Sequence, residues 1–315
     1  MSGTLSGSDW IWKDGTLVPW SDAQVHILSL AVQFGSSVFE GIRCYQTAEG
    51  PAVFRLDAHL KRLEQSCAIY RMPLEYGRDE LSEACRQVVR ENGLQDCYIR
   101  PMVLWGYGAA GMNPVGSSLE TYVATWKWGA YLGEEALEQG VDVCVSSWQR
   151  PRPNTFPVQA KSAGHYNNAQ LIKMEAVANG YAEAIVLGTG GLVSEGSGQN
   201  VFLVRDGVVV TPNLDGTSLV GITRDTVITL ARDAGFEVLV EDVPREALYT
   251  CDELFFTGTA SEVTPIRSVD KITVGAGKRG PVTQLLQQRF MDTVKGRVPD
   301  THGWLTPVGL GAEAR

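Results

Sequence analysis

Nowhere in the 315 residues is there an uninterrupted apolar run long enough to span a bilayer, so no membrane-spanning helix is expected. The first residues, Met1 to Ser8, lack both a cationic start and an apolar core and carry no sign of a secretory leader. Positive charge is scarce: 27 Lys and Arg stand against 36 Asp and Glu, a formal net charge of −9. That balance argues against a nucleic acid or an anionic membrane as partner. Only four histidines occur, His26, His59, His165 and His302, and none approaches metal-ligand spacing, so no metal is expected. The six cysteines contain no C-x-x-C pair. Most sit inside apolar strand or helix patterns, as Cys144 does in Val141–Val145, which fits free buried thiols in a reducing cytoplasm. Repeats and low-complexity segments are absent too.

What is present is the composition of an ordinary globular protein, in a chain long enough for two packed domains. The Asp14-Gly15 dipeptide predicts a hairpin turn within residues 10–18. Apolar spacing predicts helices starting at Leu56 and near Asp79, the second stopping before Asn92-Gly93. Cys97–Trp105 reads as a strand with Leu119–Lys127 as its partner, joined by the glycine-rich loop Gly106–Pro114. Residues 1–127 make a smaller first domain and 128–139 the crossing. Residues 140–315 make a larger unit, with strands at 184–187, 200–204, 208–210 and 253–256 and helices at about 166–179, 223–234 and 282–295.

The chemistry centres on Lys161, in Lys161-Ser162-Ala163-Gly164-His165-Tyr166. The small residues that follow it let a flat ring lie close to the backbone, although a lysine in a glycine-containing loop is more often a surface residue. Three further segments favour the chemical reading. Glu195 is an acid among small residues in Ser194-Glu195-Gly196-Ser197-Gly198-Gln199-Asn200. Gly221-Ile222-Thr223 opens a helix and offers amides and a hydroxyl to an anion, or a plain N-cap by Thr223. Gly258-Thr259-Ala260 follows a strand and offers a second set. A lysine for a Schiff base, an acid for a pyridine nitrogen and two phosphate-holding turns are what pyridoxal phosphate requires. Tyr166 is placed to meet the ring's phenolic oxygen, or is an ordinary helix-face aromatic. Arg55 is placed to pair with phosphate, or is an ordinary arginine ahead of a helix. A competing motif, Gly275-Ala276-Gly277-Lys278-Arg279-Gly280, fits G-x-G-x-x-G, but no second strand ending in a ribose-binding acid follows, so it reads as a glycine turn before the last helix.

Together these segments resemble the branched-chain amino acid aminotransferases of the class IV aminotransferase family, fold type IV of the pyridoxal-phosphate enzymes. The resemblance runs over about residues 9 to 306 and includes Phe34–Gly41, Tyr98-Ile99-Arg100-Pro101, Gly111–Pro114 and Trp128–Gly133. It implies a mixed α/β (α+β) two-domain fold, with a smaller N-terminal α/β domain and a larger C-terminal cofactor domain of mixed sheets or barrel. It implies transamination of leucine, isoleucine and valine with 2-oxoglutarate on pyridoxal 5'-phosphate. Lys161 is the implied Schiff-base lysine and proton carrier, Glu195 the partner of the pyridine nitrogen and Tyr166 that of the phenolic oxygen. Arg55, Ile222, Thr223 and Thr259 are implied for the phosphate. Tyr98, Arg100 and the amides of Thr259 and Ala260 are implied for substrate carboxylates, and Phe39, Gly41, Trp128 and Tyr131 for the side-chain pocket. In the family the loop at 106–114 reaches a neighbouring subunit, so a homodimer is implied. An aromatic and glycine wall suits a branched aliphatic chain, while 2-oxoglutarate needs a cation such as Arg100 at its edge.

Three positions depart from the family pattern: Phe34 for a usual Tyr, His165 for a common Asn and Gln199 for a frequent Glu. Alternative activities on the same fold are a D-amino-acid or an (R)-amine aminotransferase and an aminodeoxychorismate lyase. Arg100 is followed by Pro101 and Met102, not the Arg-x-His expected of the first. From a different class, a nicotinamide-dependent oxidoreductase rests on Gly275–Gly280 alone.

Overall fold

The hairpin predicted at Asp14-Gly15 opens the chain: β1 (Trp10–Lys13) pairs with β2 (Thr16–Pro19), and both turn residues have positive φ, 44° and 92°. That is the geometry a two-residue turn needs to match strand twist. The computed structural model describes residues 8–129 and 133–309. These form two compact units. The first contains the described residues up to Trp128, the segment Ala160–Gly164 and the residues from Thr293 onward. The second runs from Gly129 to Gln159 and over His165–Asp292. Residues 160–164 and the C-terminal segment thus pack with the first unit, although sequence order groups them with the second.

In the first unit, α1 (Leu30–Phe34) is capped by Ser29, whose hydroxyl accepts the Val32 N–H, and ends at Gly35 in the left-handed region. It leads into β3 (Ser37–Phe39), β4 (Ile42–Thr47) and β5 (Gly50–Phe54). After α2 (Leu56–Ile69) and α3 (Arg78–Glu91) come β6 (Cys97–Trp105) and β7 (Leu119–Lys127), paired over their full length from Cys97↔Lys127 to Trp105↔Leu119. A C-terminal strand, Leu305–Pro307, joins β5 at one edge and explains why the end of the chain belongs here. The helices bury Leu56, Leu60, Leu63 and Cys67, and Leu81, Ala84, Cys85, Val88 and Val89, at the i, i+3, i+4, i+7 spacing of one helix face. These pack on Ile42, Cys44, Val53, Cys97, Ile99 and Val103.

The second unit opens with α4 (Glu134–Gln139) and β8 (Val141–Gln149), then α5 (Ala163–Ala178) and β9 (Glu183–Leu187), which is parallel to β8. There follow β10 (Val193–Gly196), β11 (Asn200–Arg205), β12 (Val208–Pro212), α6 (Ile222–Asp233), β13 (Val238–Glu241) and α7 (Ala247–Thr250). Last come β14 (Glu253–Gly258), β15 (Glu262–Val269), β16 (Ile272–Thr273) and α8 (Pro281–Val294). The sheet order is β10-β9-β8-β15-β14-β11-β12-β13, with β16 on β15; parallel and antiparallel ladders are mixed. Phe202 and Phe255 are cross-strand partners whose rings stack 5.2 Å apart in its buried centre.

All six cysteines are buried and free, as their apolar settings predict. Among the described residues no helix is long and apolar enough to cross a membrane.

Phe255→Ala removes a fully buried ring from the central stack, and chemical denaturation should show a loss of about 3–5 kcal/mol.

Candidate functional site

Lys161 is stitched into the first unit by its backbone. Its carbonyl accepts the Phe39 N–H at 2.9 Å, its own N–H donates to Ser66 Oγ at 3.1 Å, and Ser162 bridges to Val38 beside β3. The Tyr70 hydroxyl adds a 2.9 Å bond to Ser162 Oγ. Small residues are needed here: a Cβ on Gly35 would stand 3.2 Å from the Gly164 Cα. The half-buried Lys161 side chain lies with Nζ 5.1 Å from the centre of the Phe39 ring.

Next to Phe39 comes a group that the motifs did not reveal. Glu40 is wholly buried and receives Arg62 Nε at 2.6 Å, Arg62 Nη2 at 2.8 Å and His59 Nδ1 at 2.7 Å. Burial alone would raise the Glu40 carboxyl, but Arg62 and then His59 outweigh it and hold the group well below the usual carboxylate range. His59 is lowered as well: burial pushes it down against the pull of Glu40, helped by the positive charges of Arg62 and Lys161. Glu40, His59 and Arg62 therefore form a fixed bracket within the field of Lys161. Arg55, the arginine singled out from sequence, precedes α2 in the left-handed conformation, with its guanidinium 5.0 Å from the Trp304 ring.

The predicted pocket residues of this unit come together. Tyr98, Trp126 and Trp128 cluster with ring centroids 5.0–6.2 Å apart, and Arg100 lies 4.6 Å from Phe39, 5.4 Å from Tyr98 and 5.5 Å from Trp126. Arg100 Nε is buried without a hydrogen-bond partner. A guanidinium held against three aromatic faces with a donor unmet is built to receive an anion. Gly41 is obligatory, because a Cβ there would meet the Tyr98 hydroxyl at 1.9 Å. Trp126 was not foreseen, although it is the register partner of Tyr98 and alternation puts it on the same face as Trp128. Tyr131 lies outside the described residues. Phe34, at the end of α1, is 45% exposed.

The second unit holds the acid. Glu195 is buried, with Arg150 Nε 3.0 Å from Oε1, while Oε2 accepts the Leu219 N–H at 3.1 Å and Asn200 Nδ2 at 3.4 Å. Arg150 also donates Nη2 to the carbonyls of Gly196 and Ser197, at 2.9 and 2.8 Å, and Nη1 to Asn168. One guanidinium thus holds both the acid and the turn behind it. No sequence signal marked Arg150. Asn200 stood in the quoted motif, and its tight fit explains Gly221, where a Cβ would fall 1.8 Å from Asn200 Oδ1.

Gly221 precedes α6 without a side-chain cap, which leaves the leading amides of Ile222 and Thr223 to serve an anion, as at any open helix start. Both residues are buried. Thr259, Ala260 and Ser261 form the turn between β14 and β15, closed by the pair Gly258↔Glu262. Near it the hydroxyls of Thr257 and Ser261 are buried without partners. Tyr166 is half-buried early in α5.

The competing Gly275–Gly280 turn has a different explanation. The Glu253 carboxylate accepts the N–H groups of Val282 and Thr283, at 2.9 and 2.7 Å, so α8 already carries an anion of its own at its start. Gly280 is needed because a Cβ would strike that same carboxylate at 2.1 Å. Among the described residues no cluster of side chains is suited to a metal ion.

The family model for class IV amino-transferases matches residues 37–269. The branched-chain-amino-acid aminotransferase of Escherichia coli (strain K12) is 49% identical over 306 residues, 97% of this chain and 99% of that protein. The chain belongs to the class IV aminotransferase family, alongside its branched-chain-amino-acid aminotransferases. The crystal structure of an Escherichia coli branched-chain amino acid aminotransferase superimposes with a TM-score of 0.94 at 50% identity, over 96% of this chain and 100% of that one. The T.th. branched-chain amino acid aminotransferase with pyridoxamine 5'-phosphate gives 0.93 at 48%, over 96% and 99%. That enzyme has also been solved with N-(5'-phosphopyridoxyl)-L-glutamate and with 4-methylvaleric acid, each at a TM-score of 0.91 and 45% identity, over 96% of this chain and 99% of that one.

Gly41→Ala should displace the Tyr98 ring and lower kcat/KM for a branched-chain amino acid about 100-fold in a coupled assay, with the fold retained by circular dichroism.

Proposed function

We propose that this chain reversibly transfers the amino group of L-leucine, L-isoleucine or L-valine to 2-oxoglutarate, with pyridoxal 5'-phosphate as cofactor, yielding branched-chain 2-oxo acids and L-glutamate. The observation that carries the substrate class is the aromatic box of Phe39, Tyr98, Trp126 and Trp128 around Arg100, whose buried Nε lacks a partner. Its walls suit an aliphatic side chain, and its guanidinium suits the second carboxylate of 2-oxoglutarate or glutamate. Relatives solved with a phosphopyridoxyl-glutamate adduct and with 4-methylvaleric acid support both halves of that assignment.

When bound, the cofactor supplies an electron sink conjugated to the substrate Cα. Lys161 Nζ would hold the cofactor covalently and would serve as the base that moves the proton at the substrate Cα. Glu195, oriented by Arg150 and Asn200, keeps the pyridine nitrogen protonated. Tyr166 donates to the phenolic oxygen. The open start of α6 at Ile222 and Thr223, with Thr259, binds the phosphate. Its guanidinium partner we assign to Arg62 rather than Arg55, because Arg62 shares Glu40 with His59 in the field of Lys161, whereas Arg55 is held over Trp304. Tyr98, Arg100 and the amides of Thr259 and Ala260 receive carboxylates. Phe39, Gly41 and Trp128 enclose the side chain.

The working form is a homodimer. Ile27, Leu28, Val32 and Phe34, in and ahead of α1, are 45–71% exposed, as are Tyr107, Met112 and Val115 in the 106–116 loop at 56–82%. These two stretches adjoin, since the His26 and Tyr107 rings lie 4.4 Å apart and the Leu30 N–H bonds to the Gly106 carbonyl. So much contiguous apolar surface fits a partner copy. Six buried free thiols fit the cytoplasm.

A spectrum of the purified protein tests the chemistry. L-Leucine should bleach the visible cofactor band and 2-oxoglutarate should restore it, and Lys161→Ala should abolish turnover. A band that ignores L-leucine but responds to D-amino acids or (R)-amines would move the substrate class. Ile27→Glu with Met112→Glu should convert a dimer to monomer in light scattering after gel filtration; an unchanged mass would place the interface elsewhere.

A further inference from the structure

Gln199 stands where the family pattern has a frequent glutamate, and the structure around it is built for an amide. Glu183, at the start of β9, is wholly buried. Its carboxylate accepts its neighbour's backbone N–H at Ala184 (2.9 Å), Lys173 Nζ from α5 (3.1 Å) and Gln199 Nε2 (3.1 Å). The other end of the same amide, Oε1, accepts the Gly198 N–H at 3.1 Å, and the Gln199 carbonyl accepts the Gly196 N–H at 2.6 Å. Gln199 is itself buried. Its side chain therefore donates on one side and accepts on the other, which a carboxylate does only when protonated. The turn it fixes, Gly196–Gly198, presents to Arg150 the two carbonyls that hold that guanidinium against Glu195. A continuous set of polar contacts runs from Lys173 through Glu183, Gln199 and the turn to Arg150 and Glu195.

We propose that Gln199 is a positioning residue for the cofactor's acid: by linking Glu183 to the Gly196–Gly198 turn it fixes the Arg150–Glu195 pair in a form that pH does not disturb. The link to the cofactor rests on the reading of Glu195 given above; the Gln199–Glu183 link does not. A glutamate at this position would face a second carboxylate and hold its link only with a shared proton. The charged groups around it are Glu183 on β9, Lys173 on α5, Arg150 following β8 and Glu195 on β10. The neighbouring Gly258–Ser261 turn contributes no ionisable side chain.

Gln199→Glu separates the two links. The new carboxyl would titrate in the folded state above its unfolded value of about 4.3. A group raised by folding keeps its contribution at low pH and loses it as pH rises through the folded value. Without cofactor, the variant's melting temperature should match wild type near pH 5 and fall progressively below it toward pH 8. With cofactor, its dissociation constant for pyridoxal 5'-phosphate should rise about tenfold over the same window, and the pH midpoint of the bound cofactor's visible band should move upward. Gln199→Leu, with no proton to share, should show a weakened, shifted cofactor at every pH. Melting curves of Gln199→Glu that run parallel to wild type would overturn the Glu183 link. A pH-dependent melting temperature in Gln199→Glu, with affinity and band midpoint unchanged in both variants, would overturn the positioning role. Wild type that takes up no cofactor would sink the role of Glu195, and the cofactor-free melting curves would still decide the Glu183 link.

Discussion

A carboxylate removed from water must be met by a cation and by hydrogen bonds, and this chain meets that demand at two places on which the rest of the candidate site is built. In one unit Glu40 is gripped bidentately by Arg62 and bonded by His59. In the other, Glu195 is gripped by Arg150, Asn200 and the Leu219 amide. Removing one partner of such a pair leaves an uncompensated buried charge, at a cost of about 3–5 kcal/mol. The groups are therefore rigid, and each fixes the segment that follows it: Gly41 and β4 after Glu40, and the Gly196–Gly198 turn after Glu195. Glu40, next to the Phe39 that bonds to the Lys161 carbonyl, and Glu195 are thus each held in a buried charge pair.

Glycines finish what those pairs begin. At Gly41 and Gly221 the space for a Cβ is already taken by the Tyr98 hydroxyl and by Asn200 Oδ1. Both glycines flank groups assigned to ligand binding, so backbone is brought where a side chain would otherwise stand. Arg100 then sits in an aromatic box whose walls weaken its hydration without neutralising it. Apolar walls and a cation thus stand side by side in one pocket.

Much of this was legible along the chain, and the failures have physical causes. The starts of the helices with a one-sided apolar pattern were found to within a residue or two, because the burial that stabilises them is also what spaces their leucines and valines. The strand β15 was missed: Pro265 inside Glu262–Val269 argues against a central strand, yet β15 lies between β8 and β14. Its ladder to β8 begins at Ile266, just past the proline, and its register shifts soon after. Lys161, Glu195, Ile222, Thr223 and Thr259 stood out because each lies in a short segment whose neighbours share its purpose. Glu40, His59, Arg62 and Arg150 did not, because their meaning lies in partners brought near only by folding. Arg55 was singled out by pattern, and its guanidinium lies over the Trp304 ring, a contact the sequence did not announce.

The glycine-rich turn at Gly275–Gly280 carries a broader consequence. A helix start lined by glycines is ordinarily an open berth for phosphate, and this protein has a second such berth at α6. By seating Glu253 permanently at the start of α8, the chain supplies its own counter-ion there and bars diffusible anions from it. The start of α8 thus keeps a carboxylate of its own, whereas the start of α6 carries no side-chain cap, which separates two segments that look alike in sequence.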